Sequence, residues 1–263
     1  MVSIKYDYDH IIGPCASDRI GRYERPLPPT VHSRVPYVLL IVLVSLLSWA
    51  PSLWVRSRMR RHGADRADLP GTGAELVEHL ARRFELEGVT VERTDALKDH
   101  YDPATRTVRL GPDNHDGRSL TAVAVAAHEV GHAIQYARGE PVTRLRQRWG
   151  PIAAASTRAG ILILALLPFV GLLTRSPGAI VAIVALSIAL QLFGTLAHAI
   201  VLPMEWDASF AKALPLLVEG EYLDDADLPA AREVLRAAAL TYVARALSDL
   251  VNLGRWAAVV LRR

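Results

Sequence analysis

His128, Glu129 and His132 stand in the run His-Glu-Val-Gly-His, and on a helix this spacing supplies two metal-binding imidazoles with a carboxylate beside them. Residues four apart lie one above the other on a helical face, so both imidazoles reach one ion while Glu129 projects toward a water on that ion. The chemistry this arrangement predicts is metal-assisted hydrolysis with Zn2+ as the cofactor. A catalytic zinc usually takes three protein ligands and leaves a fourth position for solvent, so one more donor must come from elsewhere in the chain. Glu205 is the candidate. It lies in Leu202-Pro-Met-Glu-Trp-Asp-Ala-Ser209, directly after a long apolar run, where an isolated carboxylate is costly unless solvated, paired or metal-bound. Asp207 is the candidate for accepting a hydrogen bond from a ligating imidazole and fixing its tautomer; the plainer alternative is a capping or solvated aspartate.

The motif needs a helix under it. Ser119 is a suitable N-cap for one running through Leu120, Ala122, Val123, Ala126, Ala127, Val130 and Ile134, with Gly139 and Pro141 as its stop. The motif then falls in mid-helix, as two stacked ligands require.

With 51% hydrophobic residues, the chain is more apolar than a typical soluble enzyme. Residues 36–55 carry no charge and are long enough to cross a hydrocarbon core of about 30 Å, with Tyr37, Trp49 and Trp54 suited to the interfaces. Two further spans are expected after the motif, from Ala159 to Thr174 and from Ala179 to Leu202, joined by Arg175-Ser-Pro-Gly178 as a helical hairpin. An even number of crossings between His132 and Glu205 keeps all three ligands on one side of the bilayer. The arginines at 56, 58, 60, 61 and 66, and at 144, 146, 148 and 158, outnumber Arg175 in the hairpin turn, which orients the motif toward the cytoplasm. The net charge of +3 follows from these flanks and does not suggest nucleic acid. A cleaved signal peptide is a poorer reading of 36–55, because the run starts late and is followed by arginines. One cysteine, Cys15, excludes an intrachain disulfide framework.

Between the first span and the motif, Thr72-Gly-Ala-Glu75 reads as a capping box opening a helix with Leu76, Val77, Leu80, Ala81 and Phe84 on its apolar face. Val89–Thr94 alternates as a strand does, and Arg106–Leu110 is expected to pair with it through the turn around Asp102-Pro103. Thr107, Val108 and Arg109 are then candidates for a substrate rail by strand addition, a plain structural hairpin being the alternative. His100 and His115 lie near this hairpin and read as surface or turn histidines. Beyond Asp227 and Pro229 a helix is expected to run to Leu261, with Thr241, Arg245, Ser248, Asp249 and Asn252 on one polar stripe; it lies on the membrane or crosses it.

Taken together, Thr72-Gly-Ala-Glu75, Asp99-His-Tyr-Asp-Pro103 with Thr107-Val-Arg-Leu110, Ala124 to His132, Pro203 to Ser209 and Ala238-Ala-Leu-Thr-Tyr-Val243 resemble the bacterial neutral zinc metallopeptidases of the YugP-like membrane family, distant relatives of HtpX-like proteases. The resemblance covers roughly residues 70 to 255 and implies a membrane-bound zinc protease. It implies His128, His132 and Glu205 as ligands and Glu129 as the catalytic residue. In the HtpX-like pattern an aspartate follows the ligand glutamate by four residues; Ser209 stands there, which leaves the role of Asp207 open.

The expected fold is mainly α and membrane-embedded, with a helical zincin-like catalytic core, a small β-hairpin and three transmembrane helices, or four if the last one crosses. Its expected parts are a tail at 1–35, a first span at 36–55, a cytoplasmic α+β region at 56–151, a transmembrane hairpin at 152–202, and the third-ligand segment with C-terminal helices at 203–263. The expected function is zinc-dependent endopeptidase at the cell membrane, multi-pass, acting on protein or peptide substrates, with membrane proteins among the candidates. Two rivals stand beside it. An intramembrane zinc protease would hold the motif inside a span and take its third ligand from a Leu-Asp-Gly element, for which Leu223-Asp224-Asp225 is a poor substitute. A non-enzymatic protein would use zinc only as a clamp, and would have no need of Glu129.

Overall fold

Alternation and capping signals are properties of short stretches, and most of those stretches become the expected elements. The structure, a computed structural model, describes residues 35–174, 176–241 and 243–244. By packing it divides into Met1–Leu40 and Ile41–Arg263. In the first unit only the opening turns of α1 (Val35–Arg61) are described. Residues 1–34 of the expected tail at 1–35, and the part of the expected C-terminal helix beyond residue 244 with Arg245, Ser248, Asp249 and Asn252, lie outside the described residues.

In the second unit α1 continues to Arg61, and α2 (Gly73–Arg83) opens on the expected capping box: Thr72 Oγ1 accepts from Glu75 N at 3.2 Å while Glu75 Oε2 accepts from Thr72 N at 2.7 Å. β1 (Thr90–Arg93), β2 (His100–Asp102) and β3 (Thr107–Leu110) form one sheet in the order β1-β3-β2. After a single turn, α3 (Pro112–His115), comes the motif helix α4 (Leu120–Ala137). Its cap is Ser119, whose Oγ accepts from Ala122 N at 3.1 Å, and Gly139 beyond its end has φ +63°, the left-handed geometry that stops a helix.

The hairpin expectation needs correcting. β1 pairs with β3 in parallel, Thr90 opposite Thr107, and the antiparallel partner across the tight turn is β2, with Asp102 opposite Thr107. The turn is where the sequence suggests, held by Asp102 Oδ1 accepting from Ala104 N at 3.0 Å. What it joins differs, because a turn this short can return the chain only onto the three residues just before it, too few to show alternation. β3 is therefore the central strand, its Thr107, Val108 and Leu110 buried. Thr107, Val108 and Arg109 have no free edge for a substrate, and Arg109 is spent on Asp102 at 2.8 Å and Glu92 at 3.1 Å.

α5 (Pro141–Ala165) and α6 (Leu167–Thr174) follow the end of α4, and α7 (Pro177–Ala199) returns against α5. Ser156 Oγ donates to Leu190 O at 2.8 Å and Ser187 Oγ to Gly160 O at 2.7 Å, the small-residue, hydroxyl-bonded contact that apolar helices use where burial alone gives no drive. Among the described residues one helical run, Pro177–Glu219, is long and apolar enough to cross a membrane; α5 and α6, bent by 42° at their junction, make a second if they count as one span. Of the three or four spans expected, one or two are shown, and the stretch 36–55 lies in α1.

After α7 the chain continues through α8 (Leu202–Trp206), a π-helical segment (Asp207–Ala213), α9 (Leu214–Glu219) and α10 (Leu228–Ala239). α4 is the centre of this packing, with α2, β2, β3, α9, α10 and the π-helical segment around it, so every residue from Leu120 to Gln135 is buried.

Candidate metal centre

The outward and return paths of α5/α6 and α7 bring residue 205 back to residue 132, and one glycine lets the two segments close. A Cβ on Gly131 would lie 2.8 Å from the Ala208 carbonyl oxygen, so only glycine admits the π-helical segment this near to α4. Through that approach His128, His132 and Glu205, all buried, place one ligand atom each within 4.8 Å of one another. Glu205 Oε2 lies 3.3 Å from His128 Nε2 and 3.1 Å from His132 Nε2.

The opposite side of each ring decides what these atoms can do. His128 Nδ1 is 2.9 Å from Ser209 Oγ, which donates its own proton to Leu235 O at 3.1 Å and therefore accepts from the ring. His132 Nδ1 is 2.9 Å from Gln135 Oε1, while Gln135 Nε2 donates to Met204 O at 2.9 Å and Asp207 Oδ2 at 2.7 Å. Both rings thus carry their proton on Nδ1 and turn an Nε2 lone pair toward a carboxylate oxygen. Three acceptors converging in a buried space repel unless a cation sits among them, so the residues present fit a zinc ion.

Glu205 is oriented from its other side: Arg146, on α5, donates to Oε1 at 3.2 Å, leaving Oε2 for the imidazoles. Glu129, between the ligands in sequence, is buried without such partners. Burial pushes its carboxyl up to about 7, with the nearby Glu205 and Asp99 charges adding and Arg146 opposing. His128, Glu129, His132, Arg146 and Glu205 share a cleft of about 330 Å³ whose other walls include Val55, Arg56 and Met59 of α1, Leu97, Asp99 and His100.

Asp207 does not accept from an imidazole, as expected of it; it holds Gln135, which does. Burial raises the Asp207 carboxyl, and its hydrogen bonds from Gln135 and Lys212 bring it below its ordinary value. Lys212 ties it on to Glu140, whose Oε2 is 2.9 Å from Nζ. Ser209, the departure from the HtpX-like pattern, is the group on the first ligand. The only sequence signal for Gln135 is its place three residues after His132 and so on the same face, and Arg146 reads from sequence only as a basic flank. His100 reaches the cleft wall, whereas His115 pairs with Asp116 at 2.6 Å.

A family profile described as "Putative neutral zinc metallopeptidase" matches residues 37–261. The chain belongs to this family. Membership of the zinc metallopeptidases makes it a hydrolase, with one zinc as cofactor, for which the buried trio His128, His132 and Glu205 is the group able to hold the ion. The "Putative membrane protease YugP" of Bacillus subtilis (strain 168) is 33% identical over 229 residues, covering 85% of this chain and 97% of that one. That name and the apolar run after Pro177 support association with a membrane for this zinc metallopeptidase. No solved structure matches the chain.

Proposed function

We propose that the protein is a multi-pass membrane endopeptidase that cuts protein segments at the cytoplasmic face of the bilayer, with His128, His132 and Glu205 as zinc ligands and Glu129 as general base. The observation that carries this is the convergence of two Nε2 lone pairs and one carboxylate oxygen beside a buried Glu129 in an open cleft. When bound, the zinc supplies Lewis-acid polarisation to water and to a peptide carbonyl. Glu129 takes the proton of the attacking water and delivers it to the leaving amine. Ser209 and Gln135 hold the two imidazoles in the tautomer that ligates, and Arg146 holds Glu205 to one oxygen.

α1 at 36–55, the α5/α6 arm and α7 are the proposed crossings, and the arginines that follow α1 and open α5 support a cytoplasmic catalytic region. Exposed Val42, Leu43, Leu46 and Trp49 on α1, and Leu172 and Leu173 on α6, support lipid contact. The substrate rail moves from β3 to β2, the outer strand whose His100 lines the cleft. The intramembrane alternative finds no support in α4, which protein covers from Leu120 to Gln135, or in Asp224 and Asp225, which are exposed and outside the ligand group.

The deciding experiment is metal analysis of detergent-purified protein paired with digestion of an unfolded test protein. Glu129→Gln is expected to keep one zinc per chain and lose cleavage by a factor of about 100 or more; undiminished cleavage by the zinc-loaded variant refutes the assignment.

A further inference from the structure

Beside the metal cleft lies a second cavity of about 450 Å³, lined among others by Arg56, Met59, Arg60, Leu97, Asp113 and Thr121. Arg56, Met59 and Leu97 line both spaces, so the basin adjoins the metal cleft. We propose that the basin is a substrate subsite that takes an acidic side chain between Arg56 and Arg60. The assignment deepens the peptidase reading and rests on it.

The charges on α1 are not equivalent. Arg58 and Arg61 turn to Glu233, at 2.5 and 3.8 Å. Arg56 and Arg60 are exposed, line the basin, and pair with no acid among the described residues. They are four apart on one helical face, where like charges repel, and an anion between them removes that repulsion. Asp113 is the single acid in the described lining, so the basin stays net positive. Of its hydroxyls, Thr121 Oγ1 donates to Met59 O at 2.7 Å and Ser119 Oγ accepts from Ala122 N at 3.1 Å. The two guanidinium groups are the positively charged donors in the lining, and they suit a carboxylate.

Leu97 supplies a second observation. It has φ +61° and is 62% exposed, a conformation that a branched side chain rarely takes and that gathers at binding sites. The turn that imposes it is closed by Lys98, whose N donates to Asp95 O at 3.2 Å and whose Nζ meets Asp95 Oδ2 at 2.7 Å. Leu97 and Met59 are the apolar residues that line both spaces. An anionic lipid headgroup is the other source of negative charge near α1, but continuity with the catalytic cleft favours the peptide.

The test uses the full chain, zinc-loaded and in detergent. Sites cut in β-casein are mapped, and peptides spanning one site are made in pairs that differ only by Glu or Gln at successive positions. At one fixed position Glu is expected to raise kcat/KM about fivefold over Gln, the scale of partly exposed ion pairs. Arg60→Glu is expected to erase or invert that ratio, and Arg60→Gln to erase it should the reversal fail to fold. Binding of the same fluorescein-labelled peptides to Glu129→Gln, read by anisotropy, is expected to show the same ratio. This arm judges the basin even where no peptide is cut, a result that would sink the peptidase reading separately. A ratio near one at every position overturns the subsite. So does a ratio that survives Arg60→Glu while activity in phosphatidylglycerol nanodiscs, relative to phosphatidylcholine, is what changes; that outcome gives the arginines to lipid.

Discussion

Ser209 Oγ lies 2.9 Å from Nδ1 of His128 and hands its own proton to the Leu235 carbonyl. The hydroxyl thus joins a proposed metal ligand to α10 and locks the ring with Nε2 free. Groups in this position typically contribute a factor of 10 to 100 in metal affinity. Ser209→Ala is expected to weaken zinc binding about tenfold in competition with a chromophoric chelator; an unchanged constant would reduce Ser209 to a packing role.

Arg146 acts on the proposed third ligand, Glu205, by the same logic. It donates to Oε1 of Glu205 at 3.2 Å and leaves Oε2 between the imidazoles. Removing it leaves a buried carboxylate short of one charged partner. Arg146→Ala is expected to lower zinc affinity about tenfold and to let the carboxylate rotate, visible as altered coordination by X-ray absorption, while Arg146→Lys restores part of the affinity. Identical spectra and affinity in all three proteins would remove the positioning role.

Gly131 sets the spacing of the site. With a Cβ only 2.8 Å from Ala208 O, Gly131→Ala must push the π-helical segment away from α4. Overpacking of this kind costs about 1–3 kcal/mol, and Glu205 moves with the backbone it belongs to. The variant is expected to melt lower and to retain less than one zinc per chain after dialysis. A normal melting temperature with full zinc content would show that the contact relaxes freely.

Asp102 closes the β2–β3 turn. Arg109 beside it, together with the Ala104 amide and the Thr105 hydroxyl, holds its carboxyl at about 2 against an ordinary 3.8. Since the folded value is the lower one, the stabilisation is complete above pH of about 4 and is lost as pH falls toward 2. Melting temperatures of wild type and Asp102→Asn are expected to differ at pH 6 and to converge as the pH is lowered through that window. Parallel curves would assign the acid sensitivity to other groups.

Most of what lies within one element is legible in the chain. The limits of α4 follow from Ser119 and Gly139, the start of α2 from Thr72 and Glu75, and the stacked imidazoles from a spacing of four. These features depend on backbone periodicity and on polar groups a few residues away, so a short window holds their cause. Glu205 was reachable for a different reason: a carboxylate at the end of an apolar run needs a partner, whatever that partner is.

Only the tertiary structure decided the partners themselves. It made β3 central, which ended its candidacy as a rail, and it made Asp207 the holder of Gln135 instead of an imidazole. It turned Arg146 from a basic flank into the residue that aims Glu205, and it set Arg56 and Arg60 over a cavity while Arg58 and Arg61 turned to Glu233. The arginines near α1 look alike in sequence; they separate only when the helix is rotated against its neighbours. Which face is covered, and by what, is a property of packing between segments far apart in the chain.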